Sequence, residues 1–182
     1  MQLYYVALVL PDALNRKIVL FKEWMRDRFG CRVGLKSPAH ITILPPYWME
    51  PALEAGLRSD LEAFAATQAS FLVRTKGFSS FKTRTLFIDV HVDEPLRQLK
   101  AACDDWFTRL PQYRLKREAR PFHPHITIAT RDIPAGAFAD AWAHFGHKPF
   151  EEEWSATELS LLKHNGRSWD VVFRASFGRQ DL

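Results

Sequence analysis

Apolar residues in this chain follow two alternating periods, and the alternation itself repeats. Residues 3–10 form a continuous apolar run rich in Tyr, Val and Leu, which predicts a buried strand. Pro11-Asp12 then marks a turn and a helix start. Leu14, Ile18, Phe21, Met25 and Phe29 recur at helical spacing before Gly30, so residues 12–29 are expected to form an amphipathic helix. A loop through Gly34 and Pro38 leads to His40-Ile41-Thr42-Ile43, whose polar–apolar alternation predicts a half-buried strand stopped by Pro45-Pro46. Pro51 is expected to open a helix carrying Leu53, Leu57, Leu61 and Phe64, and a strand near residues 71–76 to end at Gly77-Phe78.

The series then runs again. Residues 85–92 predict a strand, and residues 94–110 a helix with Leu96, Leu99, Cys103, Trp106 and Leu110 as its apolar stripe. A basic loop leads to His125-Ile126-Thr127-Ile128, the same four residues as before. Pro134 is expected to open a helix bearing Phe138, Ala141, Trp142 and Phe145, and residues 158–163 and 168–177 predict a hairpin around Asn165-Gly166. The pattern describes one bilobal domain over residues 1–182, with sequence halves at about 1–78 and 79–182 that each carry one His-x-Thr strand.

Side chains two apart on a strand share a face. Each copy therefore presents one imidazole and one hydroxyl together, with two isoleucines packing behind. A single His-x-Thr is expected by chance about 0.3 times in this composition, so one match is weak. Two matches at equivalent places in like halves carry far more weight.

Composition narrows the classes. An apolar fraction of 47%, with 14 Phe, 6 Trp and 4 Tyr, supports a real core and excludes disorder. A net charge of +4 suits a phosphate-bearing ligand and falls short of an obligate nucleic-acid binder. Cys31 and Cys103 are the two cysteines and form no C-x-x-C pair, so neither a disulfide framework nor a zinc knuckle is expected. The first apolar run is cut by Pro11-Asp12, too short for a signal peptide or a membrane span, and a cytoplasmic protein is expected.

The stretches Ser37-Pro38-Ala39-His40-Ile41-Thr42-Ile43-Leu44-Pro45-Pro46-Tyr47 and Phe122-His123-Pro124-His125-Ile126-Thr127-Ile128-Ala129 carry a family resemblance. So do Gly77-Phe78-Ser79-Ser80-Phe81 leading into Leu86-Phe87-Ile88, and the closing Trp169 to Phe177-Gly178. On these residues the chain resembles the 2H phosphoesterase superfamily, and within it the 2′-5′ RNA ligase/RNA 2′,3′-cyclic phosphodiesterase (LigT-like) branch. The resemblance implies an α+β bilobal fold, with two antiparallel sheets around a central groove and helices outside. It implies a phosphoesterase without cofactor or metal, acting on 2′,3′-cyclic phosphate ends of RNA or small nucleotides. ATP-independent 2′-5′ RNA ligation would be the reverse reaction, and a monomer is expected. One departure stands out: many members carry arginine five positions after the second histidine, where this chain has Thr130, with Arg131 next.

Opening a cyclic phosphate needs a base on one side of phosphorus and an acid on the other, and two imidazoles meet that need near neutral pH. His40 and His125 are the expected acid–base pair, with His125 as base, and Thr42 and Thr127 the donors to the phosphate oxygens. Four further residues are expected to touch substrate. Arg131 shares the face of Thr127 if the strand persists. His123 shares that of His125, and Tyr47 and Phe81 offer aromatic faces to a base. Arg114, Lys116, Arg117 and Arg120 in the preceding loop suggest steering of an RNA backbone. His144 and His147 read as surface residues, while His91 and His164 carry no signal. The rival readings are the same chemistry on another cyclic or 2′-5′-linked nucleotide, and a nucleotide-binding module with little catalysis.

Overall fold

A computed structural model describes residues 1–178 of the chain. In order come β1 (Gln2–Val9), α1 (Asp12–Phe29), β2 (His40–Met49), α2 (Glu54–Ala66) and β3 (Phe71–Phe81). Next are β4 (Thr85–Val90), α3 (Glu94–Thr108), β5 (His125–Thr130), α4 (Ala137–Phe145) and β6 (Glu153–Ala156). The hairpin of β7 (Glu158–His164) and β8 (Trp169–Ser176) closes the fold. The strands form two antiparallel four-stranded sheets, ordered β2-β1-β7-β8 and β5-β4-β3-β6, as the α+β expectation required.

Both His-x-Thr strands are sheet edges, and the two edges pack against each other. The sheets also trade parts of the sequence. β3 belongs to the second sheet, whereas β7 and β8 complete the first. Helices cross over in the same way, α1 packing against β5 and α3 against β2. Each motif strand is thus backed by a helix from the other half of the chain, so neither half places its own motif alone.

Alternation along these strands is as the sequence predicts. Ile41, Ile43, Ile126 and Ile128 are buried, while His40, Thr42, His125 and Thr127 are half-buried on the other face. Burying an isoleucine contributes about 1.5–3 kcal/mol, and a one-residue slip would turn every such residue outward. The isoleucines therefore fix the register that aims the polar pair.

Several boundaries differ from expectation. Pro45-Pro46 do not stop β2, because the strand is an edge and its ladder is irregular there, with Leu44 opposite Val6 and Tyr47 opposite Tyr4. Likewise β3 runs past Gly77 to Phe81. The glycine's φ of 94° accommodates a bulge, with Thr75 opposite Val90 and Phe78 opposite Ile88. Pro51 opens a 3-10 turn ahead of α2, and Pro134 precedes α4 by three residues. α3 ends at Thr108, Trp106 is exposed, and Phe107 fills the buried place. β6, a short strand in an acidic stretch, gave no apolar run long enough to read.

Candidate active site

The approach to His40 is pinned at three points. Leu10 N–H donates to Ala39 O at 3.0 Å, Ala39 N–H donates to Asn15 Oδ1 at 2.8 Å, and Lys22 Nζ donates to Ser37 O at 3.0 Å. Just upstream, the 3-10 turn Val33–Lys36 lies against the second motif. Gly34 is required there, since a Cβ would stand 2.0 Å from the Ile128 carbonyl oxygen. Asp132 Oδ2 fastens the same turn by accepting from Arg32 N–H at 2.6 Å and Val33 N–H at 2.9 Å. One loop thus touches both His-x-Thr strands.

The two imidazoles are held by the same bond. His40 Nδ1–H donates to Pro38 O at 2.7 Å, and His125 Nδ1–H donates to His123 O at 2.7 Å. A carbonyl only accepts, so Nδ1 carries the proton in both rings and Nε2 keeps its lone pair in the neutral form. Burial pushes His40 down to about 4, and Lys22 and His125 push the same way against the Pro38 bond. Burial also lowers His125; the bond to the His123 carbonyl opposes that shift, the His123 ring adds to it, and the Asp89 carboxylate opposes it more weakly. Lys22, buried with no carboxylate partner among the described residues, is itself lowered to about 8 by burial.

A cleft of about 430 Å³ opens between the sheets, walled by His40 and Thr42 from one motif and Thr127, Thr130 and Arg131 from the other. Tyr5, Lys36, Ser37, His164 and Trp169 also stand in its wall. His125 does not itself line this cleft; it stands two residues before Thr127 on the same face of β5.

The residues picked out from the sequence do not all gather here. Phe81 and His123 cluster around His125, with the Phe81 ring 4.9 Å from it and 5.1 Å from His123. His123 Nε2 lies 3.1 Å from Asp89 Oδ1. Arg131 reaches the cleft by an unexpected route. β5 ends at Thr130, and Arg131 takes a left-handed φ of 67°, so strand alternation does not govern it.

Tyr47 is placed elsewhere. Its hydroxyl is buried with no hydrogen-bond partner among the described residues, and it borders a separate hollow together with Arg114 and Lys116. Two other cations of that basic loop are taken up by acids, Arg117 by Asp105 and Arg120 by Glu118. His144 stacks on Trp24 at 3.9 Å, away from the cleft.

Sequence reasoning missed Tyr5, whose ring packs 5.0 Å from His40, and Trp169, which meets Tyr5 edge-on at 4.5 Å. It also dismissed His164, which enters the wall because β7 pairs with β1, Lys163 opposite Tyr4. Lys22 sat at an apolar-face position of α1 without being noticed; a lysine on a helical stripe was the available signal.

The family pattern described as the 2'-5' RNA ligase superfamily matches residues 11–168. Among solved structures, TT0787 of Thermus thermophilus superposes with a TM-score of 0.72 at 21% identity, covering 98% of this chain and 99% of that one. E. coli LigT complexed with 3'-AMP superposes with a TM-score of 0.67 at 19% identity, with the same coverage of 98% and 99%. At these identities the likeness is one of fold. No curated protein matches the chain in sequence.

Proposed function

Since the chain belongs to the 2'-5' RNA ligase superfamily, we propose that it is a metal-independent phosphoesterase that hydrolyses 2′,3′-cyclic phosphate ends of RNA or small nucleotides. The observation that carries this reading is the matched pair of imidazoles. Both have Nδ1 tied to their own backbone and no hydrogen bond at Nε2 among the described residues, and their edge strands contribute His40, Thr42 and Thr127 to one cleft. LigT, crystallised with 3'-AMP, supports a nucleoside phosphate as the occupant.

With phosphorus between the imidazoles, water attacks in line as the ribose oxygen departs. One Nε2 takes the water's proton while the other, protonated, gives its proton to the leaving oxygen. The P–O bond to water forms as the P–O bond to ribose breaks, and solvent exchange resets both rings. Thr42 and Thr127 hydroxyls donate to the non-bridging oxygens, where charge develops.

The surroundings favour His40 as base and His125 as acid, the reverse of the roles read from sequence. Burial and the nearby Lys22 keep His40 unprotonated, whereas Asp89 helps His125 hold a proton. Attack by an RNA 5′-hydroxyl in place of water, with the same base and acid, is the corresponding 2′-5′ ligation, and its reverse exchanges the two roles.

Turnover of a panel of 2′,3′-cyclic nucleotides, with and without chelator, tests the reading. Hydrolysis that is insensitive to chelator is expected. Tight nucleotide binding with no turnover would replace the enzyme by a binding module.

A further inference from the structure

Beside the cleft lies a second hollow of about 540 Å³ whose wall includes Arg84, Arg131, Ile133 and Phe138. Arg131 borders both spaces, so the hollow adjoins the cleft on the Arg131 side. Arg84 is joined to it through the backbone, Arg131 N–H donating to Arg84 O at 3.2 Å. The Thr85 and Thr130 hydroxyls, 2.8 Å apart, tie the two strands at the same end of the β4–β5 ladder.

Charge sets this hollow apart. No acidic side chain lines it, and neither guanidinium has a hydrogen bond or ion pair among the described residues. Arg58, Arg74, Arg97 and Arg174, by contrast, each hold a carboxylate. Two unpaired arginines lining one concavity fit a phosphate, the anion that their planar donor forks match best.

The two ends of the cleft differ in kind. One end is aromatic, with Tyr5, His164 and Trp169, and suits a base. The other leads to Arg131 and Arg84. A terminal nucleotide placed with its cyclic phosphate between the imidazoles and its base against Tyr5 and Trp169 would leave its 5′-carbon free to face the arginines.

We propose that the Arg84–Arg131 hollow is a subsite for the phosphate on the 5′-carbon of the terminal nucleotide. This inference rests on the nucleotide reading of the cleft and adds a preference for ends that carry that phosphate. Such a phosphate comes either from a free 5′-phosphorylated nucleotide or from the linkage to the next residue of an RNA chain.

Calorimetric binding of three ligands to the full chain tests it: adenosine 3′-monophosphate, adenosine 3′,5′-bisphosphate and the dinucleotide ApA bearing a 3′-phosphate. The bisphosphate and the dinucleotide are expected to bind about tenfold more tightly than the monophosphate, the scale of one or two charge-assisted hydrogen bonds. Arg84→Gln is expected to bring all three within about twofold of each other, leaving the monophosphate's affinity in place. The variant is also expected to flatten the salt dependence of dinucleotide binding by about 0.7 in log–log slope. Arg16→Gln, which removes an exposed charge elsewhere, controls for general attraction.

A gain for both longer ligands identifies the 5′-phosphate itself as the group bound, and a gain for the dinucleotide alone assigns the subsite to the RNA linkage. Equal affinities in the wild type, or equal losses in the Arg84 and Arg16 variants, would overturn the subsite. Absence of binding by all three would overturn it together with the nucleotide reading. Binding without turnover of cyclic substrates would count only against the proposed reaction.

Discussion

His40 and His125 are held by the same Nδ1–H bond to a carbonyl two residues upstream, yet their cross-strand neighbours differ. Val9 lies opposite His40 in the β1–β2 ladder, whereas Asp89 lies opposite His125 in the β4–β5 ladder. On the approach to His40 the buried ammonium of Lys22 holds the Ser37 carbonyl; around His125 stand Phe81, Phe87 and His123. The repeat supplies two imidazoles held alike, and in the proposed reaction the differing neighbours would make one the base and the other the acid. Duplication gives the matched geometry, and on the proposed mechanism divergence around it would set the direction of proton flow.

The strongest way to break the comparison is to remove either ring. His40→Ala and His125→Ala are each expected to lower kcat/KM on a 2′,3′-cyclic nucleotide by about 10²–10⁴-fold, since acid and base are both needed. Full activity in either variant would leave that copy a structural strand. Thr42→Val and Thr127→Val come next, each expected to lower kcat by about 10²-fold through loss of a donor to the developing charge. A loss in one threonine variant alone would show that the oxygens are held from one side.

Gly34→Ala tests the loop that joins the copies. The added methyl meets the Ile128 carbonyl, so a denaturant melt is expected to show about 1–3 kcal/mol of destabilisation. Unchanged stability would mean that the close approach is not maintained in solution.

Smallest are the charge substitutions, which sharpen the assignment of roles. The base works unprotonated, so rate falls as pH drops through the His40 value near 4. The acid works protonated, so rate falls as pH rises through the His125 value, which lies below the ordinary 6.5. The free enzyme's kcat/KM is therefore expected to peak on the acid side of neutrality. Lys22→Met removes a cation that lowers His40 and moves the acid limb upward. Asp89→Asn removes an anion that raises His125 and moves the alkaline limb downward. Shifts of up to about one unit are expected, and shifts on the opposite limbs would exchange the two roles.

Much of this was legible in the chain because it rests on local pattern. The isoleucine alternation, the helical stripe from Leu14 to Met25 and the Asn165-Gly166 hairpin depend on near neighbours, and all are present in the structure. What escaped depends on contacts between distant segments. Trp169 and His164 reach the cleft only because the closing hairpin joins β1 across the sheet, and Arg84 meets Arg131 only through the β4–β5 ladder. Tyr47 misled for a related reason: the bulge over Pro45-Pro46 interrupts simple alternation along β2, and its ring packs against the core. Lys22 was hidden because a buried lysine contradicts the pattern that locates it; its ammonium finds the Ser37 carbonyl only once the loop before His40 has folded.

The central claim is that both motif copies serve one phosphate, and a crystal structure with inorganic phosphate or a nucleotide product in the cleft tests it most directly. The account predicts phosphorus between the two rings, within hydrogen-bond reach of Nε2 of both His40 and His125, with Thr42 and Thr127 hydroxyls on its oxygens. A phosphate held by one copy alone, with the other imidazole out of reach, would contradict it.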